Sequence, residues 1–372
     1  MKAGRQAPLS FLVVLMGSLG DLVRGLCLAD ALKRGSRPGC RVAWLVEPQW
    51  GQLLQDHPHI DQLIVFDRPR GIAALPRLYR QLRQRHFDVT LDLQRHFKSG
   101  VFSWMSGARR RIGFHRRNAK EFNWLFNNDP IAYQGDHLNK LEHYLKFIEH
   151  LGMPRPQRLD FGLSHHRIER LNPALAERLP HPFVAVVMGS SWPTKDWPEE
   201  HYHKMVRLLL DQKQLGVVLI GDRSQAAAAH RLVSEMPSNR LLSLAGTTSL
   251  PEVTGVLQAA AAAVGPDSGP GHLAAAVGTP YVSLFGPTAP ERVAPYDCED
   301  LVVQTPEPCR GCYRKRCPLP TQTCMAAIMP AMVLPKLDEA LDSGRLSGRT
   351  HSRIVVSSQA CLRTRISSRK RY

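Results

Sequence analysis

The first half of the chain alternates short apolar runs with segments whose apolar residues recur at helical spacing. The apolar runs cover residues 11–16, 41–47, 63–66 and 87–93. The first helical segment, residues 22–33, separates the first two of these runs. Short apolar runs that alternate with helix-length segments are typical of βαβ units, so the pattern predicts a mostly parallel sheet.

The same pattern recurs in the second half of the chain. It predicts a helix over residues 250–262 and strands over residues 183–188, 216–220 and 281–285. Between the halves lies a stretch that contains Pro154, Pro156, Pro173, Pro180 and Pro182. We therefore predict an α/β protein with two doubly wound, parallel-sheet domains, covering residues 1–165 and 166–342.

The composition is that of a soluble globular protein. Of the 372 residues, 43% are hydrophobic and 22% are charged, which is too apolar for a disordered chain. The longest apolar run near the start, residues 11–16, is far shorter than the ~20 residues of a membrane-spanning helix and lacks the features of a signal peptide. We expect a cytoplasmic protein whose eight cysteines stay reduced.

The net charge of +17 is distributed unevenly along the chain. Residues 343–372 hold eight Lys or Arg and no acid, so we predict a disordered basic tail, with an anchor on anionic lipid as the alternative. The surplus of +9 on the rest of the chain suits an anionic substrate or membrane surface. A nucleic-acid-binding protein would be a different class, but no recognised motif supports it, and we expect no nucleic-acid partner.

The clearest candidate for anion binding is the segment 267–276, which follows an apolar run and opens a helical pattern. Small residues at such a turn let backbone N–H groups face a ligand, and the helix N-terminus attracts negative charge. A diphosphate could bind there, with His272 in reach. The alternative is an ordinary helix start in which Asp267 or Ser268 is the N-cap.

Residues 17–21 form a second strand-to-helix turn. Gly17 and Gly20 would allow close approach by a substrate, although the segment is neither a dinucleotide-binding fingerprint nor a P-loop. Asp21 is a candidate general base at the carboxyl end of the first strand. Its alternative role is that of an acid favoured by the helix dipole.

Residues 189–198 supply two hydroxyl groups and a lysine directly after a predicted strand. Ser190, Ser191 and Lys195 are suited to holding phosphate oxygens, whereas a lone Lys195 would be read as a surface lysine. Because the three loops follow strands of two domains, they can meet in one cleft.

These segments, taken in order, resemble glycosyltransferase family 9. They are Gly-Ser-x-Gly-Asp at 17–21, Gly-Ser-Ser-Trp-Pro-Thr-Lys-x-Trp-Pro at 189–198, Asp-Ser-Gly-x-x-His-Leu-Ala-Ala-Ala at 267–276 and Leu-Phe-Gly-Pro-Thr-Ala-Pro at 284–290. The resemblance runs from about residue 9 to residue 341. The family includes the ADP-heptose:lipopolysaccharide heptosyltransferases of Gram-negative bacteria, and the segment 189–198 is somewhat more similar to the second of these enzymes than to the first.

The resemblance implies a GT-B fold, in which the N-terminal Rossmann-like domain receives the acceptor and the C-terminal one binds the nucleotide-sugar. Asp21 matches the catalytic carboxylate, which takes the proton of the acceptor hydroxyl in a single-displacement, inverting transfer. Lys195 would also stabilise the departing ADP. The positions that match donor-binding residues are Ser190, Ser191, Lys195, Asp267, Ser268, Gly269 and His272, with Asp222 near the ribose and Thr247 or Thr248 beside the adenine.

Basic residues are frequent between residues 95 and 120 of the predicted acceptor domain. They suit the carboxylates and phosphates of an inner-core lipopolysaccharide, and a solvated basic face is the alternative. The predicted acceptor contacts are Gly17, Ser18, Gly20, Arg95, Lys98 and Arg116. We expect the aromatic residues of this region to lie in the core rather than to bind sugars, namely Phe97, Trp104, Phe114, Phe122 and Trp124.

Together these inferences predict an enzyme that moves heptose from ADP-L-glycero-beta-D-manno-heptose to the lipopolysaccharide core, with peripheral contact to the cytoplasmic face of the inner membrane. The alternative is a family relative with another nucleotide-sugar or a later acceptor. We expect no cofactor and no catalytic metal, because no Asp-x-Asp pair follows a predicted strand, and Asp92 is expected to cap the next helix.

Four cysteines near the C-terminus have the count of a thiolate metal site, but not a common spacing. They are Cys309, Cys312, Cys317 and Cys324. A structural metal, reduced thiols and a local disulfide remain open alternatives.

Overall fold

Two six-stranded parallel sheets organise the computed structural model, which describes residues 8–135, 138–319 and 323–346. The first sheet contains β1 (Ser10–Val14), β2 (Arg41–Val46), β3 (Gln62–Val65), β4 (Val89–Asp92), β5 (Arg110–Gly113) and β6 (Asp129–Pro130). The second contains β7 (Phe183–Val187), β8 (Gly216–Ile220), β9 (Leu241–Ser243), β10 (Ala262–Pro266), β11 (Tyr281–Phe285) and β12 (Val302–Gln304). The two doubly wound parallel-sheet domains predicted from the sequence are confirmed.

The helices cover both faces of the two sheets. Those of the first half are α1 (Leu19–Gly35), α2 (Gly51–Leu54), α3 (Leu75–Arg83), α4 (Phe97–Met105) and α5 (Lys140–His150). Those of the second half are α6 (Ile168–Leu171), α7 (Pro173–Arg178), α8 (Glu199–Arg207), α9 (Ala226–Glu235), α10 (Leu250–Ala259), α11 (Gly269–Ala276), α12 (Pro290–Val293), α13 (Thr323–Ala326) and α14 (Pro330–Leu346). The predicted helix 250–262 ends three residues early, because Ala262 begins β10.

Both sheets have the same strand order, β3-β2-β1-β4-β5-β6 in the first and β9-β8-β7-β10-β11-β12 in the second. The order therefore reverses between β1 and β4, and again between β7 and β10. Ligands of open α/β sheets bind at the carboxyl ends of the strands beside such a reversal. The loops after β1, β7 and β10 are the three that the sequence singled out, so the topology brings them to these two positions.

The central strands are continuous apolar runs because helices cover them on both sides. Phe11, Leu12, Val13 and Val14 of β1 are fully buried, and so is every residue of β7. The last helix, α14, continues to Leu346, four residues into the predicted basic tail; residues 347–372 of that tail lie outside the described residues. Among the described helices, none has the length and apolarity needed to cross a bilayer.

The two domains meet where the N-terminal ends of α1 and α11 contact each other. A Cβ atom on Gly20 would lie 2.7 Å from Cδ2 of His272, and one on Gly269 would lie 2.6 Å from Cδ2 of Leu19. Both distances are shorter than carbon atoms tolerate, so only glycine permits this approach. The sequence suggested that Gly20 makes room for a substrate; in the structure His272 occupies that space.

The expectation that the aromatic residues around α4 are buried is wrong for four of the five. Phe114 is buried, but Phe97, Trp104, Phe122 and Trp124 are exposed. On α4, Phe97 and Trp104 are seven residues apart and therefore lie on one face, opposite the buried Phe102 and Met105. This face of α4 is exposed to solvent although it carries two aromatic residues, and the residue types alone do not indicate that exposure.

Candidate active site

Asp21 lies in the first turn of α1, where Ser18 is the N-cap residue. Its carboxylate accepts hydrogen bonds from Arg24 at 2.6 Å and from Lys140 of α5 at 2.9 Å. Burial alone would raise the pKa of Asp21, but the charges of Arg24 and Lys140 outweigh it and hold the pKa well below its usual range. Asp21 is therefore an ionised carboxylate whose basicity is masked by two cations.

Arg24 also crosses the cleft. Its guanidinium group donates to Nε2 of His272, the first-turn residue of α11 that the sequence placed at a phosphate. Burial and the neighbouring charge of Arg24 lower the pKa of His272 well below its usual range, so the ring is neutral and accepts this hydrogen bond. A chain of contacts thus runs from Asp21 through Arg24 to the start of α11.

Lys195 reaches the same end of α11 from the loop after β7. Its Nζ lies 2.7 Å from a carboxylate oxygen of Asp267 and 4.6 Å from the centre of the Trp192 ring. The hydroxyl of Thr288 donates to the same Asp267 oxygen at 2.9 Å. These contacts hold the ammonium group beside the helix start, so Lys195, Asp267 and the first N–H groups of α11 converge as the sequence predicted.

Ser190, Ser191 and Ser268 complete this convergence. Ser190 donates to the carbonyl oxygen of Trp192 at 2.9 Å, and its N–H donates to Asp196 at 2.8 Å, so the turn is built from its own hydrogen bonds. Ser191 is exposed. Ser268 is the N-cap residue of α11 but makes no side-chain capping bond, which leaves the N–H groups from Gly269 onward without that partner.

The predicted nucleoside contacts lie on the neighbouring loops. Asp222 follows β8 and accepts two hydrogen bonds from Ser224, both of 2.7 Å. Thr247 and Thr248 follow β9 and donate to the carbonyl oxygen of Leu244. The N–H of Gly246 donates to Gly221 at 2.9 Å, which places these two loops side by side at the edge of the cleft.

A cavity of about 140 Å³ opens on the other side of Asp21. Its charged and polar lining residues come from both domains: Asp21, Gln94, Arg95, His96, Lys120, Lys140, Tyr144 and Arg292. Cations outnumber the one carboxylate, so the cavity attracts anions. Arg95 lines the cavity and contacts His143 at 2.7 Å, and its role as an acceptor contact stays a prediction. Lys98 pairs instead with Glu47 at 3.2 Å, and Arg116 is exposed; neither belongs to the lining.

Sequence reasoning missed Arg24, Lys140, Tyr144 and Arg292. A signal was present for three of them. Arg24 is one helical turn beyond Asp21, and Lys140 and Tyr144 are four residues apart on α5, so each pair shares a helix face. Arg292 follows the segment 284–290 by two residues.

Asp92, at the end of β4, fixes the loop that carries part of this lining. It accepts hydrogen bonds from the side chains of Asn123, at 2.7 Å, and Asn127, at 3.2 Å, and from the N–H of Gln94. Burial raises its pKa to about 6. The structure therefore gives Asp92 a role in joining two loops rather than in capping α4.

The raised pKa of Asp92 predicts a pH dependence of stability. A carboxyl group whose folded pKa exceeds its unfolded value stabilises the fold fully below about pH 4, and this contribution is lost as the pH rises through about 6. Relative to Asp92→Asn, the wild-type free energy of unfolding should fall by up to about 3 kcal/mol between about pH 4 and pH 8. Urea denaturation of both proteins across this range measures the difference, and a pH-independent difference would contradict the assignment.

Within the described ranges, three or more metal-ligating side chains converge only at Asp30, His59 and Asp160. Asp30 is already paired with Arg34 at 2.6 Å. The four cysteines singled out by the sequence are free thiols, and burial and the nearby thiols raise the pKa of Cys324 to about 11.

Two doubly wound parallel-sheet domains that meet at a cleft form a GT-B fold. The E. coli heptosyltransferase WaaC with ADP superposes with a TM-score of 0.72 at 22% identity, covering 89% of this chain and all of that chain. The chain belongs to glycosyltransferase family 9 (heptosyltransferase), whose family model matches residues 75–322. The resemblance inferred from the motifs is confirmed.

Curated relatives agree over most of their length. Lipopolysaccharide core heptosyltransferase OpsX of Haemophilus influenzae is 26% identical over 81% of this chain and 86% of its own. Lipopolysaccharide heptosyltransferase 1 of Pseudomonas aeruginosa is 28% identical over 82% of this chain and 86% of its own. Heptosyltransferases of type 2 match as well, so the preference for the second type stays a prediction.

Proposed function

We propose that this protein transfers heptose from ADP-heptose to the inner core of lipopolysaccharide, with inversion at the anomeric carbon, at the cytoplasmic face of the inner membrane. The observation that carries the proposal is the opposition of two half-sites across the cleft. Asp21 and most of the cationic lining of the cavity belong to the first domain, while Lys195 and the start of α11 belong to the second. Arg24 joins them by direct contact with His272.

The donor half-site is suited to a diphosphate. Lys195 and the N–H groups at the start of α11 place positive charge where the leaving ADP gains negative charge, and they do so without a metal. Asp267 and Thr288 orient Lys195 through the 2.7 Å and 2.9 Å contacts. The ADP bound in the related WaaC structure and the heptosyltransferase relatives support ADP-heptose as the donor.

The acceptor half-site is suited to an anionic sugar. An acceptor carboxylate or phosphate would bind Lys140, Lys120 and Arg292, and in doing so would draw Lys140 away from Asp21. The pKa of Asp21 would then rise towards its ordinary value, so the base would gain strength when the acceptor is bound. Asp21 takes the hydroxyl proton as the acceptor oxygen attacks the anomeric carbon, and the bond from that carbon to the diphosphate breaks.

Ligand-dependent thermal unfolding tests the donor assignment first. ADP, UDP, GDP and CMP are compared at equal concentration. At 100 times its dissociation constant a ligand adds about 2.7 kcal/mol to the free energy of unfolding, and we expect this from ADP alone. Stabilisation by UDP or GDP instead of ADP would keep the family and overturn the proposed donor.

A further inference from the structure

Five apolar side chains form an exposed surface on the acceptor domain. Phe97, Trp104, Phe122, Trp124 and Leu125 are 42–69% exposed and are called the aromatic surface below. Single exposed apolar residues are ordinary, but five that come from one helix and from the turn packed against it point to a site of interaction. Phe97 and Trp104 lie on α4. Phe122, Trp124 and Leu125 lie in or directly before the turn Asn123–Leu125, and this turn packs against α4.

The aromatic surface is held rigidly. Asn123 is fully buried, and its side chain donates to the carbonyl oxygen of His96 at 2.9 Å and to Asp92 at 2.7 Å. Phe126 packs edge-on against Phe97 with their ring centres 5.2 Å apart. A Cβ on Gly100 would lie 2.7 Å from Phe126, so the helix and the turn are in direct contact. These contacts therefore fix the helix and the turn that carry the exposed side chains against each other.

The backbone is strained where the most exposed ring is presented. Glu121 and Phe122 have φ angles of 51° and 57°, in the left-handed region that bulky residues rarely adopt. Such strain persists only where the surrounding contacts enforce it, and it concentrates at functional segments. Here the strained backbone directs the side chain of Phe122 into solvent, where it adds nothing to the hydrophobic core.

The chain segment that contains the aromatic surface is strongly basic. Residues 68–126 contain 14 Lys or Arg and three Asp or Glu. Of these three acids, Asp92 is buried and Glu121 pairs with His96 at 3.0 Å. Arg83 lies against Gly107 just beyond the end of α4, and Lys120 lies at the other end. Exposed aromatic rings between cations match an anionic lipid interface, where rings enter the headgroup layer and cations meet phosphates.

We propose that the aromatic surface docks this enzyme onto an anionic phospholipid bilayer, an inference that rests on the proposed lipid-linked acceptor. His96 and Lys120 line the acceptor cavity, and Phe97 and Phe122 are one and two residues further along the chain. The mouth of the cavity therefore lies beside the docked surface. An acceptor sugar that protrudes from the bilayer can enter without leaving it.

The test measures insertion of the rings directly. Full-length protein is mixed with phosphatidylcholine vesicles, with or without phosphatidylglycerol, that carry brominated acyl chains to quench nearby tryptophan. We expect quenching only with phosphatidylglycerol, and its loss in the double variant Trp104→Phe and Trp124→Phe. The segment 343–372 contains no tryptophan, so binding through that segment alone would give sedimentation without quenching and would overturn the proposal.

A second comparison isolates the affinity. Phe122→Ser with Leu125→Ser should weaken vesicle binding about tenfold or more, because apolar burial at the interface is lost. The matched control, Leu171→Ser with Met332→Ser, removes two exposed apolar residues from the other domain and should bind as wild type. Unchanged vesicle binding of the Phe122→Ser, Leu125→Ser variant would overturn the proposal. The proposal would also be overturned if this variant lost self-association while its vesicle binding stayed the same.

The acceptor assay separates this surface from the proposed function. On a deacylated, water-soluble core acceptor, the Phe122→Ser, Leu125→Ser variant should turn over as wild type, whereas on vesicle-embedded acceptor it should lose about tenfold in rate or more. Vesicle binding without any heptosyl transfer would refute the proposed function and support the proposed docking surface. Transfer to both acceptors with no vesicle binding would refute the proposed docking surface and support the proposed function.

Discussion

Asp21→Asn should lower the turnover of heptosyl transfer by about a thousandfold while leaving ADP affinity within a few-fold. The amide keeps the shape of the side chain but cannot accept the proton of the acceptor hydroxyl, and general-base catalysis contributes roughly 10²–10⁴ in rate. The proposed ADP site lies on the opposite wall of the cleft, at Lys195 and α11. Steady-state kinetics on a soluble acceptor and isothermal titration with ADP measure the two effects separately.

The control for Asp21→Asn is Asp30→Asn. Asp30 lies on the same helix, is buried and pairs with Arg34 rather than with the cleft. The Asp30→Asn variant should retain wild-type turnover. Circular dichroism and the thermal midpoint check that this variant is folded. A collapse of ADP affinity in Asp21→Asn would make Asp21 structural, and retained turnover would place the base elsewhere. Because the pKa of Asp21 is already low in the free enzyme, its ionisation should give kcat/KM no acidic limb above about pH 5.

Lys195→Gln should lower kcat by about a hundredfold or more and weaken ADP binding by about tenfold. In the proposed mechanism the ammonium group stabilises charge that develops on the departing diphosphate, so its removal destabilises the transition state more than the ground state. Loss of one such donor typically costs roughly 10²–10³ in rate. The measurement is kcat and KM for ADP-heptose together with the dissociation constant of ADP.

Lys315→Gln is a closely matched control for that experiment. Lys315 also lies over the Trp192 ring, at 5.3 Å, but is exposed and has no ion pair to Asp267 among the described contacts. Removing it changes the local charge as much as removing Lys195 does. Equal losses in both variants would mean that general positive charge suffices, and an unchanged kcat in Lys195→Gln would remove Lys195 from the reaction.

The fold and the donor half-site were predictable because their signals are local in sequence. Alternating apolar runs identify parallel strands, and the loops after β7 and β10 carry their phosphate-binding residue types within a few positions. The acceptor half-site was predicted less completely. Lys140 and Arg292 reach the cavity from α5 and from the second domain, and only the tertiary fold brings them to Asp21.

The exposed aromatic residues show a different limit of sequence reasoning. Aromatic side chains are buried on average, so Phe122 and Trp124 were expected in the core. Their exposure depends on the left-handed backbone at Glu121 and Phe122, which nothing in their residue types favours. The position of these rings is decided by Asn123, a polar residue whose burial the hydrophobic pattern does not indicate.

The contact between Gly20 and His272 has a consequence for the distance between the two substrates. Neither Gly20 nor Gly269 has a positive φ, so alanine would suit each local backbone equally well. The requirement for glycine comes from the facing domain. A single methyl group at either position would hold the two half-sites apart, and a reaction between two bound molecules loses rate steeply when they are misplaced by an ångström. The separation of the proposed acceptor and donor sites is thus set by the absence of side chains at two glycines, one on each of the helices that meet in the cleft.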